Sequence, residues 1–385
     1  MILKIAYGRV IMTDSGRFTK GAYMFNFMIL TLPPVLAWII HIFLLPGELN
    51  RKKKAFFFPF YFVMVNGFTF AISYLRGVKG LRFSDMTMSY KIKYLCMGCA
   101  WAVILPFFVG IFTDKRGERQ DIRKAIRKFV LDIRTYLHYA VWSAKADLRA
   151  EVSNAYLDWL WWLIEPACMM LIYTVMFGVV FKASETYFPV FIFIGLTMWS
   201  FFSRCVSSSV NLIRANRDII TKIYMPKFIL LLSRMLVCGF KMMISFGVVA
   251  FMMLIFRVRP TVHILAMLPV LLVFFLFTFG LCNIFMHYGV YVNDLSYIVG
   301  IVLTMLMYLT GVFYNVGKRI PEPFGELLER YNPIAFLISS MRGVLLYGQA
   351  PDWMMLGMWA LVSLLLIVIG VSTIYRNENA YVKVI

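Results

Sequence analysis

The chain is 385 residues long; 61% of them are hydrophobic, 15% are charged, and the formal net charge is +20. That balance excludes a soluble globular domain and describes a polytopic membrane protein. With no soluble domain to carry a basic face, the positive excess belongs in loops beside anionic lipid and not against nucleic acid.

The first 23 residues carry Lys4, Arg9, Arg17 and Lys20 and hold no compact apolar core. The apolar run that follows lacks a small-residue cleavage site, so the first span is expected to stay as an anchor and not to leave as a signal peptide. Three apolar segments precede residue 115, at about 24–46, 55–75 and 93–113, and six follow, at about 160–181, 188–211, 228–256, 264–290, 296–315 and 353–375. Each is near or above the roughly 20 residues a helix needs to cross hydrocarbon. They are continuous and not alternating, which excludes a β-barrel. The expectation is an all-α polytopic membrane protein with three domains: an N-terminal transmembrane region over 1–115, interfacial amphipathic helices over 116–158, and a six-span core over 159–385.

Sidedness follows from charge. The interval 114–158 is rich in Lys and Arg, Arg123, Lys124, Arg127, Lys128 and Arg134 among them, and is expected on the cytoplasmic side. Counting forward, 216–227, 291–294 and the C-terminal tail are cytoplasmic, and 182–187 and 317–351 are external. Arg257 and Arg259 then strain the rule. The first three spans strain it more, because they put Arg76, Lys79, Arg82, Lys91 and Lys93 outside. Either one of the three does not fully cross, for which Pro33, Pro34 and Pro59 leave room, or the rule is broken there.

Within 114–158, Ile122, Ile126, Phe129, Val130, Ile133 and Leu137 recur at helical spacing opposite Arg and Lys. This reads as a helix lying in the interface plane. Trp159, Trp161 and Trp162 mark the headgroup level where the next span enters. Among the ionisable residues inside predicted spans are Glu165 and Lys241. Such residues are either functional or escape hydrocarbon by snorkelling or pairing.

Between two long apolar runs lies NRDIITKIYMPK, residues 216–227. Ile219, Ile220, Ile223 and Tyr224 fall on one helical side, and Arg217, Asp218, Thr221 and Lys222 on the other. Pro226 is expected to stop the turn. The segment is too short and polar to cross, so it either lies on the surface or docks into another protein.

The six cysteines lie in or beside apolar stretches, and the Cys96–Cys99 C-x-x-C lacks a second pair or nearby histidines, so they read as small buried hydrophobes. GVFYNVGK at 311–318 has the wrong glycine spacing and no following Ser or Thr for a phosphate loop. Energy from ATP would have to come from another chain. Aromatics make up 17% of residues; they can stack on sugar rings, but packing in a membrane core and its interfaces accounts for most of them.

From about residue 135 onward the chain resembles the membrane subunits of ABC exporters for polysaccharides, the permeases for O-antigen, capsule and wall teichoic acid. The resemblance is carried by EPACMMLIYTVMFGVVFK (165–182), FPVFIFIGLTMWSFFSRCVSSSVNLI (188–213), RANRDIITKIYMPKFILLLSRM (214–235), YVNDLSYIVGIVLTMLMYLTGVFYNVGKRIPE (291–322) and YNPIAFLISSMRGVLLYG (331–348). It implies that residues 214–227 form the cytoplasmic coupling helix, with Arg217, Asp218, Ile219, Ile220, Lys222, Ile223, Tyr224 and Pro226 facing a separate ATPase subunit. It implies two permease copies and two ATPases, with ATP and Mg held by the ATPases and no cofactor, metal or catalytic residue in this chain. An undecaprenyl-linked glycan would pass between the copies, across the bacterial cytoplasmic membrane. Trp159, Trp162, Glu165, Tyr173, Trp199, Phe202, Phe313, Tyr314 and Tyr331 would line its entrance or channel, and 317–351 would form short re-entrant helices at the exit. The chain departs from the family in having Glu165-Pro166 for Asn-Pro, in lacking both prolines of the exit motif at 310–315, and in carrying residues 1–115. The competing expectations are a drug or lipid exporter of the same fold and a polytopic enzyme of glycan assembly.

Overall fold

The computed structural model describes residues 30–38, 60–66, 122–153, 158–176, 185, 187–259, 261–319 and 324–384. The chain divides into two compact units, Met1–Asp114 and Lys115–Ile385. In the first, helices α1 (30–38) and α2 (60–66) bury Ala37, Tyr61 and Val65 together. The Asn66 side-chain amide donates to the Leu30 and Phe62 carbonyls, at 3.1 and 3.0 Å. The rest of the three expected N-terminal spans, with Cys96 and Cys99, lies outside the described residues.

Every regular element described in the second unit is a helix. Its elements are α3 (Ile122–Val152), α4 (Trp161–Tyr173), α5 (Phe188–Ala215), α6 (Arg217–Lys222), α7 (Lys227–Ile255), α8 (Met267–Tyr291), α9 (Leu295–Leu309), α10 (Val316–Arg319), α11 (Phe324–Tyr331), α12 (Pro333–Leu346), α13 (Trp353–Arg376) and α14 (Glu378–Val384). Four stretches are long and apolar enough to cross a membrane: α5, α7, α8 with the 3-10 turn before it, and α13. The protein is thus an all-α, multi-pass membrane protein.

Polar caps set where helices begin. The Asn332 side chain accepts from the Ile334 and Ala335 amides, with Pro333 at the first helical position of α12. Asp352 does the same for Met354 and Met355 at the start of α13.

Glycines set how closely the long helices approach. The most extensive packing is α8 on α13. A Cβ on Gly280 would meet the Leu366 Cβ at 2.7 Å, and one on Gly370 would meet the Asn283 Cβ at 2.7 Å. Without a lipid-driven hydrophobic force between helices, such backbone proximity supplies the packing energy. Gly289 likewise admits the Val210 carbonyl of α5 against α8.

Two expected spans come out shorter. The segment expected at 296–315 is helical only to Leu309, about 22 Å at 1.5 Å per residue. It ends because Gly311 takes a left-handed conformation, φ 68°, and the carbonyls of Gly311 and Val312 turn to the buried Arg342 guanidinium, at 2.8 and 2.7 Å. A third donor of Arg342 reaches the Phe191 carbonyl at 3.1 Å, and the guanidinium lies 3.5 Å over the Phe191 ring. A side chain at Gly195 would collide with it. The break thus persists without the family's prolines. The segment expected at 160–181 is α-helical over Trp161–Tyr173, continues as a π turn through Met176, and leaves the described residues there.

Helix ends gather into two groups. At one end Tyr347 donates to Glu185 at 3.4 Å, Arg342 binds the start of α5, and Gly348 lies against Thr261. At the other, Arg214 donates to the Val290 carbonyl at 2.7 Å, and His287 Nδ1 pairs with the Tyr381 hydroxyl at 2.8 Å. The long helices alternate between these ends. Helix α3 packs on α7 and α13 through Ala125, Ala140, Ala144 and Phe129, whose ring is 4.9 Å from that of Phe228.

Candidate functional site

The α5–α7 connection lies at the second end. Asn216 closes α5, donating its side-chain amide to the Leu212 carbonyl at 2.8 Å, and one and a half turns of helix follow as α6. The sequence expectation is corrected at its C-terminal edge. Helix α6 stops at Lys222, Ile223 is extended (φ −130°, ψ 133°), and Pro226 is the N-cap of α7 and not the stop of α6. The expected single apolar face is therefore divided. Ile220 is buried against the chain itself, while Ile219 is 37% exposed and Ile223 is 64% exposed. Asp218 in the first turn and Lys222 in the last complement the helix dipole.

Tyr224, 59% exposed, also has partners within the chain. Lys128 of α3 donates to its hydroxyl at 2.8 Å, and that hydroxyl donates to Glu378 of α14 at 3.3 Å. Glu378 also pairs with Lys128 at 3.7 Å and with Lys227 at 3.5 Å. Lys227 is only 3% exposed; it also donates to the Met225 carbonyl at 3.2 Å. One turn before Glu378, the Tyr375 hydroxyl donates to Asp132 of α3 at 2.6 Å, and Lys128 lies 4.6 Å over the Tyr375 ring. A clip thus joins three separate stretches: α3, the 223–227 loop and the chain's last two helices. Burial works against the Lys128 charge, but the Tyr224 hydrogen bond and the Glu378 and Asp132 carboxylates outweigh it and raise its pKa.

Glu378, Lys128, Asp132 and Lys227 were not foreseen as site residues. Lys128 and Asp132 share a face at i, i+4, which is visible in sequence, but their partners lie up to 250 residues away and only the fold brings them together.

The intramembrane ionisable residues are paired. Glu165 of α4 accepts from Arg204 of α5 at 2.7 Å. Lys241 of α7 pairs closely with Glu151 at the end of α3, which also lies 3.9 Å from Arg234. Lys241 additionally lies 5.9 Å over Trp162. Each charge that the sequence places in hydrocarbon thus has an opposite partner on a neighbouring helix, as its cost there requires.

The aromatics expected at a channel separate into two sets. Trp199, Phe202 and Phe313 are buried inside the chain, where Trp199 and Phe202 meet at 5.7 Å and Phe313 meets Tyr173 at 4.7 Å. Rings covered by their own chain offer no face to a passing ligand. Trp159 and Tyr331 remain exposed, and Tyr314 is half-buried, donating to the Tyr308 carbonyl at 2.6 Å. Trp162 packs edge-on to Phe240 at 5.8 Å.

Comparison with known proteins covers most of this second unit. Residues 143–346 match the family described as ABC-2 type transporter. The O-antigen export system permease protein RfbA of Myxococcus xanthus is 27% identical over 254 residues, 66% of this chain and 96% of that protein. RfbA of Klebsiella pneumoniae is 24% identical over 62% of this chain and 92% of its own. The polysialic acid transport protein KpsM of Escherichia coli is 22% identical over 61% of this chain and 91% of its own. The family match spans more than half of the residues and includes α5, α6, the α9 break and α12; the chain belongs to the ABC-2 type transporter family.

Proposed function

We propose that this chain is the permease of an ATP-driven polysaccharide exporter in the bacterial cytoplasmic membrane. Two copies would form a channel between them, and two separate ATPase subunits, holding ATP and Mg, would dock on the α5–α7 loops. The substrate would be a glycan carried on an undecaprenyl-type lipid. Family membership supports a transporter component, and the names of the relatives support polysaccharide as cargo.

The observation that carries the coupling role is the loop itself. α6 and the extended residue after it present Ile219 and Ile223 outward although they sit among basic loops, while Tyr224 and Lys227 behind them are fixed to α3 and α14. A surface-lying helix would need no such clip. A helix pushed by a partner would, because force applied to a loose loop is not transmitted. Burying each isoleucine against a partner is worth roughly 1.5–3 kcal/mol, and Arg217 and Lys222 at the rim contribute less.

The test replaces Ile219 and Ile223 by Asp and leaves Tyr224 in place, since Tyr224 holds the chain together. The double variant should insert normally, lose co-purification with the ATPase and stop surface glycan display. Arg217→Ala should be mild. Retention of both the ATPase and export by the double variant would remove the docking role.

A further inference from the structure

Beside the break after α9 lies a cavity of about 310 Å³. That is at the lower end of the roughly 300–1,000 Å³ of small-molecule sites, and unlike most of them it is polar. Asn315, Glu329, Ser339, Tyr347 and Gln349 line it, with Phe191 at one wall. With Thr310 and Arg342 also on its walls, this gathers two amides, a carboxylate, a guanidinium and three hydroxyls around one space.

Three details narrow what it can hold. Ser339 donates closely to Glu329 Oε1, which fixes the carboxylate. The other oxygen, Oε2, lies 2.7 Å from where a Cβ on Gly317 would sit, and Gly317 also lines the cavity. Only a glycine leaves the space in front of that acceptor open. Arg342 reaches the same wall, but its guanidinium donates to the carbonyls of Phe191, Gly311 and Val312. The cation is thus spent on backbone, and the carboxylate is not. An anion entering here would meet Glu329, while Arg342, the cation on the same wall, is already committed to backbone carbonyls, and an apolar ligand would cover the Glu329 carboxylate without offering it a hydrogen bond. A neutral polyhydroxyl ligand satisfies the amide, hydroxyl and carboxylate groups together.

We infer that the cavity formed by Asn315, Gly317, Glu329, Ser339, Tyr347 and Gln349 is a subsite for one neutral sugar unit of the exported polymer. This rests on the export reading above. Its position between the end of α9 and α12, at the end of the molecule opposite the coupling loop, makes it a holding point for the polymer as it leaves. Glu329 Oε2 would accept a sugar hydroxyl, and the Asn315 and Gln349 amides would bind its neighbours.

The experiment uses the full chain in nanodiscs and saturation-transfer NMR with methyl glycosides of glucose, galactose, mannose, rhamnose and N-acetylglucosamine, with glucuronic acid as the anionic probe. At least one neutral glycoside should bind saturably and glucuronic acid should not. Gln349→Ala should weaken that binding about tenfold, the loss of roughly one hydrogen bond. Gly317→Val should abolish it. Glu329→Gln keeps the shape and removes the charge, so it should admit glucuronic acid; this gain of binding separates a lining role from misfolding. The inference fails if no neutral glycoside saturates, if glucuronic acid binds the native chain as well, or if the Gln349 and Gly317 variants bind normally. Native chain that exports polysaccharide with its ATPase but binds no sugar would overturn the subsite and leave the export reading standing. Saturable sugar binding without any export would do the reverse.

Discussion

Glu378 joins two stretches of the chain that are far from it in sequence, α3 and the residues between α6 and α7. It meets Lys128, Tyr224 and the buried Lys227. Removing its charge leaves the buried Lys227 ammonium without a counter-ion, held by the Met225 carbonyl and the Tyr224 ring, and breaking a buried pair typically costs about 3–5 kcal/mol. Glu378 is itself 12% exposed, so the low end of that range applies. Glu378→Gln should therefore insert but melt several degrees lower, and should export less per ATP hydrolysed because the coupling loop is no longer fixed. Native melting and native coupling in this variant would mean that the clip is incidental. The sign of the Lys128 shift adds a pH dependence. Its folded pKa lies above the ordinary value of 10.5, so the stabilisation it provides is complete below that value and is lost only as pH rises through the raised one. Thermal stability should accordingly show no step from Lys128 between about pH 7 and 9, and Lys128→Met should lower it throughout that range. Arg342 makes the complementary case at the other end. A lysine there carries the charge but lacks the planar fork that reaches three carbonyls. Arg342→Lys should leave at least one buried carbonyl unpaired, at about 1–3 kcal/mol, and reduce the folded yield in detergent. An unchanged melting point would show that the break after α9 is held by something else.

At the scale of elements, the long helices were legible from hydropathy alone, because a run above about 20 apolar residues has few other fates. The limits of α9 were not. Nothing in MYLTGVFYN marks the helix end at Leu309 except Gly311, and the arginine that takes the freed carbonyls is about 30 residues further on. α3 shows a subtler version of the same limit. Its apolar residues were read as one membrane-facing stripe. The structure turns Ala125, Phe129 and Ala144 toward α7 and α13 and leaves Val130, Leu131, Val141 and Trp142 exposed, the last at 70%. Helical periodicity gives the faces but not which of two apolar neighbours, protein or lipid, each face meets. If α3 lies in the interface as proposed, a nitroxide at 142 should be reached by oxygen dissolved in lipid, and one at 145 by a water-soluble nickel chelate. Equal access of the chelate to both positions would place α3 in water. The aromatics show a related limit. Trp199 and Phe202 carry no sequence mark that distinguishes a ring packed in the core from one lining a path.

At the scale of the whole molecule, the second unit looks like half of something. α9 is about 22 Å long, short of the roughly 30 Å of hydrocarbon, and ends in an irregular turn. Irregular backbone at membrane depth is tolerated only where protein or water covers it. Yet Tyr297, Ile301, Met305 and Tyr308, spaced along one side of α9, are all more than half exposed. The break itself is covered by its own chain, but this α9 face is open, and a second copy would cover it. Two copies also supply the two coupling loops that a pair of ATPases needs. The prediction is that Met305→Cys forms an oxidative crosslink of doubled mass in native membranes. Leu361→Cys, on the side of α13 that is long enough to face lipid, should not. On the proposed reading, in which ATPases would act on a channel between copies, the Met305 crosslink should change in yield when ATP is bound. If Met305→Cys stays monomeric while the complex exports, the α9 face meets lipid or another subunit, and the channel does not run between copies along it.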